Sequence, residues 1–291
     1  MKHHLTLPLT LLFLAALLLS GCTQQTGTSD PARANALFSV DMKQVSTIKL
    51  SLPDEEVVLS LRGSRWVLPE WNNYPAEPTF ADILVRTLSN LPDGEVVTNI
   101  AGDYGLTPTL RRIVLEDEPG ARLGELWVGL PLDNYRAAYV SAPNLGEVRR
   151  VKADLIPALA RPTWGDRTVW RLPNAVVQEI DVRGFDRNFK ARDSGDEGWQ
   201  LVDAPNLKLG PGFGALLMRL LWLKAGDVVY EPNNSFEAKA GILVKTQHVD
   251  MVLHLGPLNG DIIHARADRQ DIIFHFSKKL IDLVENAVEE I

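Results

Sequence analysis

Apolar and polar positions alternate in short runs over most of the chain, and the period of the pattern changes at a few defined places. Residues 46–52 alternate with a period of two, and 57–61 and 65–68 are short apolar-rich runs, with Pro53-Asp54 and Arg62-Gly63 as turn residues between the runs. Such runs predict three half-buried strands joined by hairpins. The period then lengthens. Phe80, Ile83, Leu84, Leu88 and Leu91 fall at i, i+3, i+4, i+8 and i+11, which is one face of an α-helix. Pro78-Thr79 starts that helix and Pro92-Asp93-Gly94 stops it. Further strands are predicted at residues 112–116, 125–128, 137–141 and 147–151, with a closing helix at 153–160. Hairpin-linked strands with interspersed helices imply an α+β fold with antiparallel sheets, not a doubly wound parallel one.

The pattern then repeats. Val45-x-x-Ile48 recurs as Val177-x-x-Ile180 at an offset of 132, and Trp66 recurs as Trp199 at 133. Phe80, Ile83, Leu84, Arg86 and Leu88 recur at 133 as Phe213, Leu216, Leu217, Arg219 and Leu221, and Val96 recurs as Val229. Farther on, Gly105-Leu106 aligns with Gly241-Ile242, and Leu155-Ile156 with Leu280-Ile281, which predicts a second closing helix at 278–288. The expectation is two tandem related repeats, 37–163 and 164–291, each an antiparallel sheet with a packed helix. Whether they pack as one sheet or as two lobes stays open.

The N-terminus has a different character. Lys2 gives a basic start, residues 9–19 (LTLLFLAALLL) are apolar but for one threonine, and Leu19-Ser20-Gly21-Cys22 follows. An apolar run of 11 residues suits a signal peptide and is too short to span a bilayer, which takes about 20. The Leu-Ser-Gly-Cys quartet resembles the bacterial lipobox. That resemblance implies cleavage of residues 1–21 and acylation of Cys22, with partnership to the lipid bilayer. Two or three acyl chains anchor stably where one is marginal. Thr23, in place of an aspartate, favours the outer over the inner membrane in enterobacteria-like sorting. Residues 22–36, small and polar with Gly27 and Pro31, read as a flexible tether. Cys22 is the only cysteine, so neither a disulfide nor a cysteine metal site is available. With the signal and its Lys2 removed, 29 basic residues face 37 acidic ones, a net charge near −8. An acidic exported chain is a poor partner for nucleic acid.

Several local patterns carry a resemblance beyond the signal. They are Leu37-Phe38-x-x-Asp41, Val45-x-x-Ile48, Trp66-x-Leu68, Phe80-Ala81-Asp82, Asp103-Tyr104-Gly105-Leu106-Thr107-Pro108 and Trp164-Gly165-Asp166-Arg167-Thr168-Val169. Together they resemble the bacterial family catalogued as domain of unknown function 4340, over nearly the whole mature chain. The tyrosine–glycine–leucine element is the most specific; in the second copy only Ala238-Lys239-Ala240-Gly241-Ile242 stands at its aligned place. The resemblance implies an envelope protein, often a lipoprotein, some members being companions of gliding-type ABC transporter components. It implies no activity.

The search for chemistry is short. There is no GxSxG elbow, no phosphate loop and no GxGxxG opening a helix. His248, Asp250 and His254 share one strand face, and His264 and His275 follow nearby; imidazoles suit zinc or copper. These positions also suit the solvated face of half-buried strands, and no HExxH-like spacing accompanies them. Gly210-Pro211-Gly212 reads as a plain loop, and Asp54-Glu55-Glu56 as solvated charge at a turn. The tryptophans read as caps on helix–sheet packing. Asn72, Asn73 and Tyr74 lengthen the first loop and leave room for a groove between the copies near Trp66, Trp71 and Trp199. No catalytic residue, cofactor or metal ligand is assigned. The assigned site is Cys22, for lipidation, and the expected role is a non-enzymatic binding or assembly module with an envelope protein as partner. A periplasmic metal- or small-ligand-binding protein or enzyme using the C-terminal histidines is the alternative.

Overall fold

The computed structural model describes residues 37, 40–98, 104–106, 111–143, 146–173, 177–202, 204–269 and 271–291. Residues 1–36, with the signal, Cys22 and the tether, lie outside the described residues. So do Phe38, Asp103, Thr107 and Pro108 of the family-like patterns.

The first half holds β1 (Thr47–Ser51), β2 (Glu56–Arg62), β3 (Arg65–Leu68), β4 (Tyr74–Pro75), α1 (Pro78–Ser89), β5 (Glu95–Thr98), β6 (Arg112–Glu116), β7 (Arg122–Leu132), β8 (Ala137–Ser141), β9 (Val148–Val151) and α2 (Leu155–Leu159). The second half runs through β10 (Thr168–Arg171), β11 (Val177–Arg183), β12 (Phe189–Asp193), β13 (Trp199–Val202), β14 (Leu207–Leu209), α3 (Phe213–Leu221), β15 (Trp222–Lys224) and β16 (Asp227–Tyr230). It closes with β17 (Ala240–Thr246), β18 (Asp250–Asn259), β19 (Ile262–Arg266), β20 (Ile272–Ser277), α4 (Lys279–Glu285) and β21 (Val288–Glu290). The predicted strands and helices are all present. The main change is β7, which extends well beyond the predicted 125–128.

Two large antiparallel sheets result, so the halves do not merge into one. The first has nine strands in the order β4-β3-β2-β1-β6-β7-β8-β9-β5, and the second eight in the order β13-β12-β11-β17-β18-β19-β20-β16. Apart from β4 the two orders correspond step for step. In each, the strand after the helix returns to the far edge, β5 beside β9 and β16 beside β20. Ribbons β10-β15 and β14-β21 complete the second half.

Each sheet buries one face. Ile48, Leu59, Ile113, Leu126 and Val140 meet Leu84 and Leu88 of α1 and Leu155 of α2 in the first core. Ile180, Ile242, Leu253, Ile263 and Phe276 meet Leu216 and Leu220 of α3 and Val284 of α4 in the second. At about 1.5–3 kcal/mol per buried aliphatic or aromatic side chain, this burial dominates the energetics.

The buried positions correct two of the sequence alignments. In α1 the buried residues are Ala81, Leu84 and Leu88, and in α3 Phe213, Leu216, Leu220 and Leu221; the first three of α3 answer the three of α1 at a spacing of 132 and not 133. A one-residue slip turns a helix by about 100°, so the buried face decides the register where residue identities mislead. Likewise Ile242 lies inside β17 opposite Val182, as Ile113 of β6 lies opposite Leu50. Gly105-Leu106 precede β6 and have no counterpart at Gly241-Ile242. Tyr104 instead packs edge-on against Tyr139 with ring centroids 4.5 Å apart. A Cβ on Gly105 would come within 2.9 Å of the Leu130 side chain, so this element is a close-packed cover on the sheet.

Candidate functional site between the two sheets

The halves meet through a short excursion between β3 and α1. A 3-10 turn over Pro69–Trp71 leads into Asn72 and Asn73, both left-handed at φ 53° and 56°. Asparagine tolerates that conformation better than most residues because its short amide bonds locally. The turn places Trp71 against both cores and carries Tyr74 to the second half while its backbone pairs with Leu68 in the first sheet. Tyr74 is buried and belongs to the second core, and its hydroxyl donates to the Asp166 carbonyl at 2.7 Å. Burial, then the neighbouring Asp166 carboxylate, raises the Tyr74 phenol well above its ordinary range, so it stays a donor. Trp71 stacks on Tyr230 at 6.0 Å.

The junction after α2 receives this excursion. Gly165 has its Cα-side space filled: a Cβ there would stand 2.6 Å from the Trp71 ring and 2.9 Å from Val228. Gly165 also bridges Ala76 in antiparallel fashion. The backbone N–H of Glu77 donates to Trp164 O at 2.8 Å, and that of Asp166 donates to Pro75 O at 2.9 Å. Thr163 Oγ1 donates to Val228 O at 3.0 Å. Arg269, beyond β19, donates to Asn72 O at 3.3 Å while its guanidinium lies over the Tyr74 ring.

Glu77 is the electrostatic centre of the joint. It is only 3% exposed and precedes α1, where the helix dipole favours negative charge. Arg167 Nε lies 3.3 Å from Oε2, and Lys224 Nζ donates to Oε1 at 3.0 Å. A carboxylate so buried is tolerated only when paired, and both of its partners come from beyond the first sheet.

Two recesses flank this joint. One, of about 160 Å³, lies against Trp71 and Trp164 and carries Glu55, Glu56, Glu70 and Asp227 on its lining. Glu55 and Glu56, read from sequence as solvated turn charge, thus stand at a recess; burial, then the adjacent Asp54, raises the Glu55 carboxyl. The other recess, of about 590 Å³, is walled by Trp66, Arg65 and Asp82 from the first half and by Asp166, Arg171 and Lys224 from beyond it. The sequence-predicted groove therefore exists in part. Trp66 and Trp71 each line a recess, whereas Trp199 packs on Phe213 at 5.4 Å in the second core.

The histidines are dispersed. His264 and His275 stack across β19 and β20 with centroids 4.6 Å apart, and His275 Nδ1 lies 3.6 Å from Asp227. Burial, then the His264 ring, lowers the His275 imidazole below its ordinary range. His254 sits opposite Arg266, and His248 lies at the β17–β18 turn. Among the described residues no three His, Cys, Asp or Glu side chains are grouped to hold a metal ion. Gly210 and Gly212 are required by close approach to Asn286 O, as a packed loop would have it. Among the described residues no helix is long and apolar enough to cross a membrane.

Sequence reasoning missed the joint because its pairs are remote in the chain. Glu77 and Lys224 are 147 residues apart, Arg269 and Asn72 197. The signals available were the Asn72-Asn73 pair and the Trp164-Gly165 step, which the structure ties together. The family model described as Domain of unknown function (DUF4340) matches residues 66–242. The match runs from β3 of the first sheet into β17 of the second and so crosses the joint. No curated protein and no solved structure matches the chain.

Proposed function

The chain belongs to the family of domain of unknown function 4340, and from that premise we propose that it is a lipid-anchored envelope lipoprotein serving as a non-enzymatic binding and assembly module. In this reading residues 1–21 are removed, Cys22 is acylated, and residues 22–36 tether the folded part to the bilayer, at the outer membrane and facing the periplasm. Residues 37–163 and 164–291 are two related repeats, each an antiparallel sheet with its helix. The matching strand orders of the two large sheets support that duplication.

One observation carries the functional reading: the two halves are joined by a buried, charge-paired seam at Glu77, with Trp71 and Tyr74 inserted across it. A module that must present a fixed surface to a partner gains from such rigidity, because less conformational freedom is lost on binding. The partner is an envelope protein, and a transporter subunit fits the family resemblance. Nucleic acid is disfavoured by the acidic net charge. The alternative built on the C-terminal histidines has less support, since His254 and His248 stand apart from the stacked His264–His275 pair.

The test is mild cross-linking in whole cells, capture of tagged protein and mass spectrometry. A single stoichiometric envelope partner is expected. Recovery of nothing beyond the lipoprotein export machinery would overturn the reading.

A further inference from the structure

The larger recess has a chemistry of its own. Its lining carries three basic side chains, Arg65, Arg171 and Lys224, and three acidic ones, Glu77, Asp82 and Asp166. The formal charges cancel, so the recess carries no net charge to draw in an ion of either sign. Lys224 is committed to Glu77, and the Arg171 guanidinium lies 4.3 Å from the Trp222 ring centroid. Asp166 Oδ1 accepts from the Thr168 N–H at 2.9 Å. Arg65 and Asp82 remain: both are exposed, and neither has a side-chain partner among the described residues. Trp66, half-buried, lines the same recess. Its volume of about 590 Å³ falls within the roughly 300–1,000 Å³ of small-molecule sites.

A ligand that answers a free carboxylate and a free guanidinium in one recess needs a donor for the first and an acceptor for the second. Hydroxyls do both. A ligand that also covers an indole needs an apolar C–H face beside those hydroxyls. Pyranose rings combine the two. We propose that the recess walled by Trp66, Arg65 and Asp82 binds a neutral glycan segment, with a sugar ring laid on Trp66 and its hydroxyls shared between Asp82 and Arg65. The assignment goes beyond the assembly role and does not depend on it. Glycan binding without a captured protein, or a captured protein without glycan binding, separates the two.

The experiment is isothermal titration of the full-length protein, held in a detergent without a sugar headgroup, with maltotriose, cellotriose and chitotriose in turn. At least one is expected to bind with a Kd below about 1 mM, some 4 kcal/mol. Binding should change less than about twofold between low and high salt, because the ligand carries no net charge. Asp82→Ala, on an exposed helical position, should weaken it about tenfold, as loss of one hydrogen bond to a charged group does. Trp66→Ala should abolish it. If Trp66→Ala fails to fold, Asp82→Ala and Arg65→Ala decide the matter alone. Absence of binding by all three saccharides overturns the proposal. So does binding indifferent to Asp82→Ala and Arg65→Ala, or binding lost on adding salt, which would mark a charged ligand.

Discussion

The two large sheets share a strand order, yet only the first carries an extra edge strand, β4, and the excursion that leads to it. At the corresponding place the second half goes from β13 through β14 to α3, and β14 pairs with β21 of its own half. The same architecture thus turns one way inward and the other way outward. In the first half the loop before the helix spends Trp71, Tyr74 and Glu77 on a neighbour. In the second half the equivalent stretch closes on itself, with Gly210 and Gly212 pressed against Asn286. What makes two sheets into one unit is therefore a single asymmetric segment, not the shared fold.

The largest effect should come from removing the charge at that segment. Glu77→Ala leaves Arg167 and Lys224 facing each other at the seam. Breaking a fully buried pair costs about 3–5 kcal/mol; here the two cations keep some exposure, so a loss of about 2–3 kcal/mol is expected from urea unfolding. Next comes Gly165→Ala, whose added Cβ meets the Trp71 ring at 2.6 Å. Overpacking of this kind costs about 1–3 kcal/mol. Its control lies in the second half: Gly214→Ala on α3 has open space and should be neutral or stabilising by up to about 1 kcal/mol. Equal effects at the two glycines would break the comparison. Tyr74→Phe removes the hydroxyl that donates to Asp166 O and should cost about 1 kcal/mol.

The smallest effect concerns pH and the second half alone. His275 has its imidazole lowered in the fold, by burial first and by His264 next. The unfolded chain then takes up the proton first as pH falls through the ordinary imidazole range near 6.5, so stability decreases on acidification and levels off below the folded-state value. His275→Gln should flatten that slope between pH 7.5 and 5, read from urea midpoints. An unchanged slope would assign the acid sensitivity elsewhere.

Much of this architecture was legible in the residues. The period-two run at β1, the short apolar-rich runs at β2, β6 and β8 and the 3.6-residue face of α1 all mark elements the structure contains, because local pattern reports what an element buries. Helix register was not legible from identities alone: Leu84 aligns with Leu217 by letter, but burial pairs it with Leu216. The joint was hidden for a different reason. Glu77 carries no local signal beyond its place before Pro78, and only the approach of Arg167 and Lys224 gives it a role. Cys22 and the tether remain a sequence-based assignment, and loss of palmitate labelling in Cys22→Ser is the result expected of it.

The most direct test of the locked two-lobe unit is differential scanning calorimetry of the full-length protein beside its Trp71→Ala/Glu77→Ala double variant. The wild type is expected to melt in one transition, with calorimetric and van 't Hoff enthalpies in a ratio of about 1, and the variant in two. Two independent transitions in the wild type, or a single undivided one in the variant, would contradict the claim that this segment makes the sheets one body.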